Sequence, residues 1–164
     1  MNNIILIGMP SCGKSVTGVV LAKALNMKFT DTDLLIQEKA GKSLQQIINE
    51  DGIEAFKALE KEILTELDTE NTVIATGGSA VYYDEAMMHL KEKGCVVYIE
   101  ASVSTVKRRL KNIKTRGVAM AKGQTIEDLY RIRIPLYKKY ADVTVYTGSG
   151  SMEKTVSQII EKLK

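Results

Sequence analysis

A chain of 164 residues, 45% apolar and 26% charged, can bury one hydrophobic core without staples and fits a single domain over residues 1–164. The net charge of +3 has no aromatic stacking series beside it, which argues against a nucleic-acid partner. No apolar run approaches the ~20 residues of a membrane span and Met1 to Ile7 lacks a signal peptide's basic start, so a cytoplasmic protein is expected.

Ile4-Ile5-Leu6-Ile7 is an unbroken apolar run, as a strand covered on both faces requires. It leads into Gly8-Met9-Pro10-Ser11-Cys12-Gly13-Lys14-Ser15, a G-x-x-x-x-G-K-S loop, and a helix is expected from Lys14 to about Leu25. In such a loop glycine lets successive N–H groups converge on a polyphosphate while the helix N-terminus faces it. Gly8, Ser11, Cys12, Gly13, Lys14, Ser15 and Val16 are therefore the expected nucleotide contacts. Lys14 would neutralise the β- and γ-phosphates of ATP, and the Ser15 hydroxyl would ligate Mg²⁺.

Lys28 to Thr30 reads as a short strand ending in Asp31-Thr32-Asp33, with a helix from Asp33 to about Ala40. A second helix restarts after Ser43, a plausible N-cap, and is interrupted at Asp51-Gly52. A third places Phe56, Leu59, Ile63, Leu64 and Leu67 on one face. Val73-Ile74-Ala75 is a strand ending in the turn Thr76-Gly77-Gly78-Ser79. A helix from about Asp84 to Lys93 follows, ended by Gly94. Val96 to Ile99 is another continuous apolar strand, and Ser104 to Lys111 a helix. The polar stretch 112–124 has the length of a functional lid. Thr125 caps a helix through Tyr140, kinked or interrupted at Pro135. Val143-Thr144-Val145 and a helix from Met152 to Leu163 complete the chain.

Strands alternating with helices predict an α/β fold in three layers, with a five-stranded parallel sheet between helices. Ligands collect at the carboxyl ends of such strands. Those ends carry the Gly8 loop, Asp31-Thr32-Asp33, Gly77-Gly78-Ser79 and the segment before the lid. A carboxylate there can orient a hydroxyl and accept its proton, and Asp33 at a helix N-terminus is expected to be ionised or to serve as that helix's cap. His89 and the tyrosines Tyr130, Tyr137 and Tyr140 read as packing residues. Cys95 reads as a core residue. The Cys12 thiol, beside loop N–H groups, is a candidate for oxidation that blocks ATP binding.

The Gly8 to Ser15 loop, Asp31-Thr32-Asp33, Asp51-Gly52 followed by Phe56, Thr76-Gly77-Gly78, the basic lid and Arg133-Ile134-Pro135-Leu136-Tyr137 together resemble the shikimate kinases over essentially the whole chain. The resemblance implies a P-loop kinase fold of the nucleoside monophosphate kinase type that uses ATP and Mg²⁺. It implies a substrate-binding helical region at about 33–61. It also implies roles: Asp33 holds the acceptor hydroxyl, Asp31 reaches Mg²⁺ through water, and Arg133 binds the substrate carboxylate. Arg116 closes from the lid on the phosphates, and Arg109 lies against the adenine.

Three positions depart from the family. Lys57 stands where the family has arginine, losing the planar fork, and Glu54 and Glu60 could hold it as a surface pair. Ser79 replaces a glycine, so its side chain narrows the pocket, adds a hydroxyl contact or is simply tolerated by the turn. Gly117 replaces a proline after Arg116, loosening the open lid. With Lys57, Gly77, Gly78 and Ser79 on the acceptor side, shikimate is the first reading and another small anionic hydroxy acid the second. A regulatory nucleotide switch is a third, although the guanine signature Asn-Lys-x-Asp is missing. A monomer is expected.

Overall fold

The computed structural model describes residues 2–111, 118–120, 123–148 and 151–164, with the Lys111 side chain left aside. Ile4, Ile5, Leu6 and Ile7 are all buried, which fixes their strand, β1 (Asn3–Ile7), at the centre of a sheet covered on both faces. β2 (Lys28–Asp31), β3 (Thr72–Ala75), β4 (Gly94–Glu100) and β5 (Val143–Tyr146) complete it in the order β2-β3-β1-β4-β5. Every pairing is parallel; Ile5 lies between Ile74 of β3 and Val96 of β4. The expected five-stranded α/β sheet is the one observed.

The helices are α1 (Lys14–Leu25), α2 (Thr32–Ala40), α3 (Leu44–Asp51), α4 (Ile53–Glu66), α5 (Asp84–Glu92), α6 (Val103–Lys111), α7 (Ile126–Tyr140) and α8 (Met152–Leu163). Local chemistry sets several boundaries. Asn26, in the left-handed conformation, ends α1, and capping boxes pair Ser43 with Gln46 at α3 and Thr125 with Asp128 at α7.

One element is added and three expectations are corrected. A 3-10 turn, Ala80–Tyr82, follows the Gly77-Gly78 turn and had no periodic signal to reveal it. Gly94 opens β4 rather than stopping α5. A Cβ there would stand 2.3 Å from the Asn3 carbonyl oxygen, so the close approach of β1 requires the glycine. α7 runs unbroken past Pro135. The proline removes one N–H, towards the carbonyl of the exposed Arg131, while the buried side of the helix is held by Leu129, Arg133, Tyr137 and Tyr140. Finally, α2 is capped by Asp31, not Asp33, because the Asp31 carboxylate accepts the Asp33 N–H at 2.9 Å.

The main core surrounds the sheet. A second, smaller cluster of Ile36, Leu44, Ile47, Phe56 and Ala119 ties α2, α3 and α4 to the segment 118–120. Phe56 and Ala119 of this cluster also line the pocket at the carboxyl edge of the sheet. No helix among the described residues is long and apolar enough to cross a membrane.

Candidate active site

The Gly8 loop joins β1 to α1 at the carboxyl edge of the sheet. A Cβ on Gly8 would lie 2.6 Å from the Ile99 carbonyl oxygen, and Gly13, the residue before α1, has φ +95°, so both glycines answer to geometry. Ser11 also has a positive φ. No side chain caps α1, which leaves its first N–H groups turned into the loop, the arrangement that receives an anion. Lys14 is buried, and its ammonium donates to the carbonyls of Gly8 at 2.7 Å and Met9 at 2.8 Å. The lysine thus spans its own loop and shapes it. Val16 is exposed in the first turn of α1.

Cys12 corrects the redox expectation. Its thiol is buried in the main core, with Sγ 3.7 Å from the Lys14 ammonium, and so lies beneath the loop instead of facing an oxidant in solvent. Arg109, from α6, donates to the Ser11 carbonyl at 3.1 Å, placing a guanidinium directly against the outside of the loop.

At the end of β2, Ser15 Oγ donates to Asp31 Oδ2 at 2.7 Å while Asp31 Oδ1 caps α2. One carboxylate therefore fastens the phosphate loop to the acceptor-side helices. Asp33, one position inside the helix, lines the pocket between the two halves together with Lys14, Thr76, Gly77, Gly78 and Arg133. Pro10, Phe56, Glu60, Ser79, Val118 and Ala119 complete its wall.

Arg133 is the most deeply buried cation of the acceptor side, 1% exposed. Its Nε donates to the Tyr82 hydroxyl at 3.0 Å and Nη2 to the Ala119 carbonyl at 3.1 Å, and Nη1 turns to Gly78. A Cβ on Gly78 would stand 2.8 Å from that nitrogen. The Gly78 carbonyl in turn accepts from Tyr137 at 2.7 Å, whose ring stacks on Tyr98. The guanidinium is thus held on three sides by packed elements, a preorganised anchor for a carboxylate.

Lys57 is placed differently from the other acceptor candidates. Its side chain is 38% exposed, its ammonium is 3.9 Å from Glu54 and lies over the Tyr82 ring, and it does not line the pocket. Glu60 is not its surface partner, because Glu60, although only three residues on, is fully buried and its Oε1 accepts from Ser79 and Tyr83. Arg116 and Gly117 fall outside the described residues, as does most of 112–124. His89 bonds the Leu67 carbonyl, a structural role.

Glu60 is the site residue that pattern reading passed over. Ser79 Oγ donates to its Oε1 at 2.5 Å and Tyr83 to the same oxygen at 2.8 Å. Burial pushes its carboxyl up to about 7, aided by the charge of Asp33; the two hydroxyl donors and Arg133 oppose the rise. A signal was present: Phe56, Glu60 and Leu64 recur every fourth residue, so a glutamate sits in a buried stripe.

The shikimate kinase family profile matches residues 10–164. The shikimate kinase of Haemophilus influenzae is 36% identical over 163 residues, covering 97% of this chain and 91% of its own. That of Thioalkalivibrio sulfidiphilus is 39% identical, covering 96% and 85%. A shikimate kinase from Acinetobacter baumannii, solved in complex with shikimate, superposes with a TM-score of 0.92 at 31% identity, over 99% of this chain and 93% of that one.

Proposed function

The chain belongs to the shikimate kinase family, and on that footing we propose that it transfers the γ-phosphoryl group of ATP to a ring hydroxyl of shikimate, giving shikimate 3-phosphate and ADP. One observation carries the reading: Lys14, Asp33 and Arg133 line one pocket, so the phosphate end, the proton acceptor and the carboxylate anchor meet in one cavity.

Each group has a physical task. Asp33 orients the acceptor hydroxyl and takes its proton as the oxygen bonds to the γ-phosphorus and the bond to the ADP oxygen breaks. The Lys14 ammonium and the N-terminus of α1 offset the charge on the transferring group. The Arg133 guanidinium holds the shikimate carboxylate, and Gly77 and Gly78 let the ring approach the backbone. Arg109 packs against the nucleotide, and Arg116 closes over the phosphates. Mg²⁺ fits the Ser15 hydroxyl and Asp31 carboxylate, two hard oxygens 2.7 Å apart beside the loop, and would supply further neutralisation of the β- and γ-phosphates.

Lys57, half-exposed and beside Glu54, favours testing a second reading, a kinase of another small anionic hydroxy acid. The deciding experiment is coupled ADP release with shikimate against a panel of hydroxy acids, polyols and hydroxy amino acids. Turnover with shikimate and silence without an acceptor is expected. Turnover on another acceptor alone, or hydrolysis without one, overturns the reading.

A further inference from the structure

Glu60 carries an unexplained atom. Its Oε2 is the one buried side-chain oxygen or nitrogen among the described residues that has no hydrogen-bond partner. Glu60 lines the acceptor pocket, and Oε2 lies close to the Gly77 backbone in its wall. A point in Cβ position over Gly77, on the wall of the acceptor pocket, lies 2.8 Å from Glu60 Oε2 and 2.7 Å from Asp33 Oδ1. An orphaned carboxylate oxygen in a pocket wall costs free energy unless something fills its need.

The other oxygen explains the orientation. Oε1 accepts from both Ser79 and Tyr83. Ser79 is a departure from the family's glycine, so this clamp rests on the chain's own residues. With two donors on Oε1, any proton the carboxyl carries must sit on Oε2.

We propose that Ser79 and Tyr83 are positioning residues for the acceptor: by donating together to Oε1 of Glu60 they hold Oε2 toward the pocket, where it accepts from a hydroxyl of the bound substrate beside the one Asp33 orients. This deepens the reading of the cavity as an acceptor pocket and rests on it. Oε2 is a full carboxylate acceptor only when Glu60 is ionised; protonated, it presents an O–H donor in that place. The groups that bear on its charge are Asp33 from α2, Tyr83 after the 3-10 turn and Arg133 from α7.

The test uses Ser79→Ala, Tyr83→Phe, their double variant and Glu60→Gln, none of which changes side-chain volume much. Each single variant leaves one donor on Oε1 and should raise the acceptor KM about twofold to threefold; losing both should raise it about tenfold or more, with kcat and the KM for ATP within about twofold of wild type. Glu60→Gln turns the acceptor oxygen into a donor nitrogen and should match the double variant. In the wild type, kcat/KM for the acceptor should fall as pH drops through about 7, and this inflection should vanish in Glu60→Gln.

A readout free of turnover is the carboxyl titration of δ-¹³C-glutamate-labelled protein. One resonance should titrate near 7, be missing in Glu60→Gln and move to higher pH in the double variant, because both lost donors stabilise the anion. A double variant with an acceptor KM within about twofold of wild type, or with kcat falling in step with kcat/KM, overturns the proposal. So does a titration that the double variant leaves in place. A wild type inert toward shikimate overturns the functional reading instead, and the titration then decides the clamp by itself.

Discussion

Asp31 and Asp33 lie two residues apart and are joined by one hydrogen bond, from the Asp33 N–H to Asp31 Oδ1 at 2.9 Å. That bond divides their labour. Asp31 is held by the end of α2 and by the Ser15 hydroxyl, whereas the Asp33 side chain lines the pocket.

The division separates two variants. Asp31→Ala should lower stability by about 1 kcal/mol, as the loss of an N-cap does, and should raise the Mg²⁺ concentration needed for activity. Asp33→Asn should leave the fold intact and lower kcat by about 10²–10⁴. Thermal melts and Mg²⁺ titrations of both proteins check the pair, and an Asp33→Asn enzyme with unchanged kcat would return that residue to the helix.

Gly8 and Gly77 should respond oppositely to alanine. At Gly8 a Cβ meets the Ile99 backbone at 2.6 Å in a positive-φ conformation, so Gly8→Ala should cost about 3 kcal/mol or more of stability. At Gly77 the new methyl meets side-chain oxygens and not backbone, Asp33 Oδ1 and Glu60 Oε2, 2.7 and 2.8 Å away. Gly77→Ala should therefore fold normally and lose activity, because Asp33 and Glu60 must move aside. Comparing melting temperature with kcat/KM in the two variants decides it.

The acceptor-side cations should also part. Arg133→Lys keeps the charge but loses the planar fork and its bonds to Tyr82 and Ala119, and should raise the acceptor KM about 100-fold or more. Lys57→Ala should raise it less than about fivefold, within the ~1 kcal/mol of an exposed pair. A large KM effect at Lys57 would mean that its side chain swings into the pocket when the acceptor binds.

Glu60 predicts a pH dependence of stability. Its folded pKa, about 7, exceeds the ordinary 4.5, so between those values the folded state binds the extra proton. That contribution, on the order of 3 kcal/mol, is fully present below about 4.5 and is lost as pH rises through about 7. Glu60→Gln should lack it. Urea unfolding of both proteins at pH 5 and pH 8 should show the wild type alone losing stability at the higher pH by about that amount.

Much of this was legible in the linear chain because it depends on neighbours in sequence. The run Ile4 to Ile7, the Gly8 to Ser15 spacing, the Ser43 and Thr125 caps and the αL residue Asn26 act within a few residues, and all five strands were found in order. Periodicity failed where contact between distant segments decides. Gly94 looked like a helix stop because nothing near it in sequence reveals that β1 passes 2.3 Å from its Cβ position. Pro135 looked like a break because the packing of Arg133 and Tyr137, which holds α7 together around it, is tertiary.

The sequence by itself determined the candidate phosphate loop, since the Gly8 to Ser15 pattern is one continuous stretch whose backbone N–H groups can receive a polyphosphate. Only the tertiary structure decided the acceptor half. It left Lys57 at the rim with Glu54, set Arg133 between Tyr82 and Ala119, and turned Glu60 inward onto Ser79 and Tyr83. The physical reason is that a carboxylate's role depends on burial and on which donors reach each oxygen, and at Glu60 those donors lie 19 and 23 residues away in the chain.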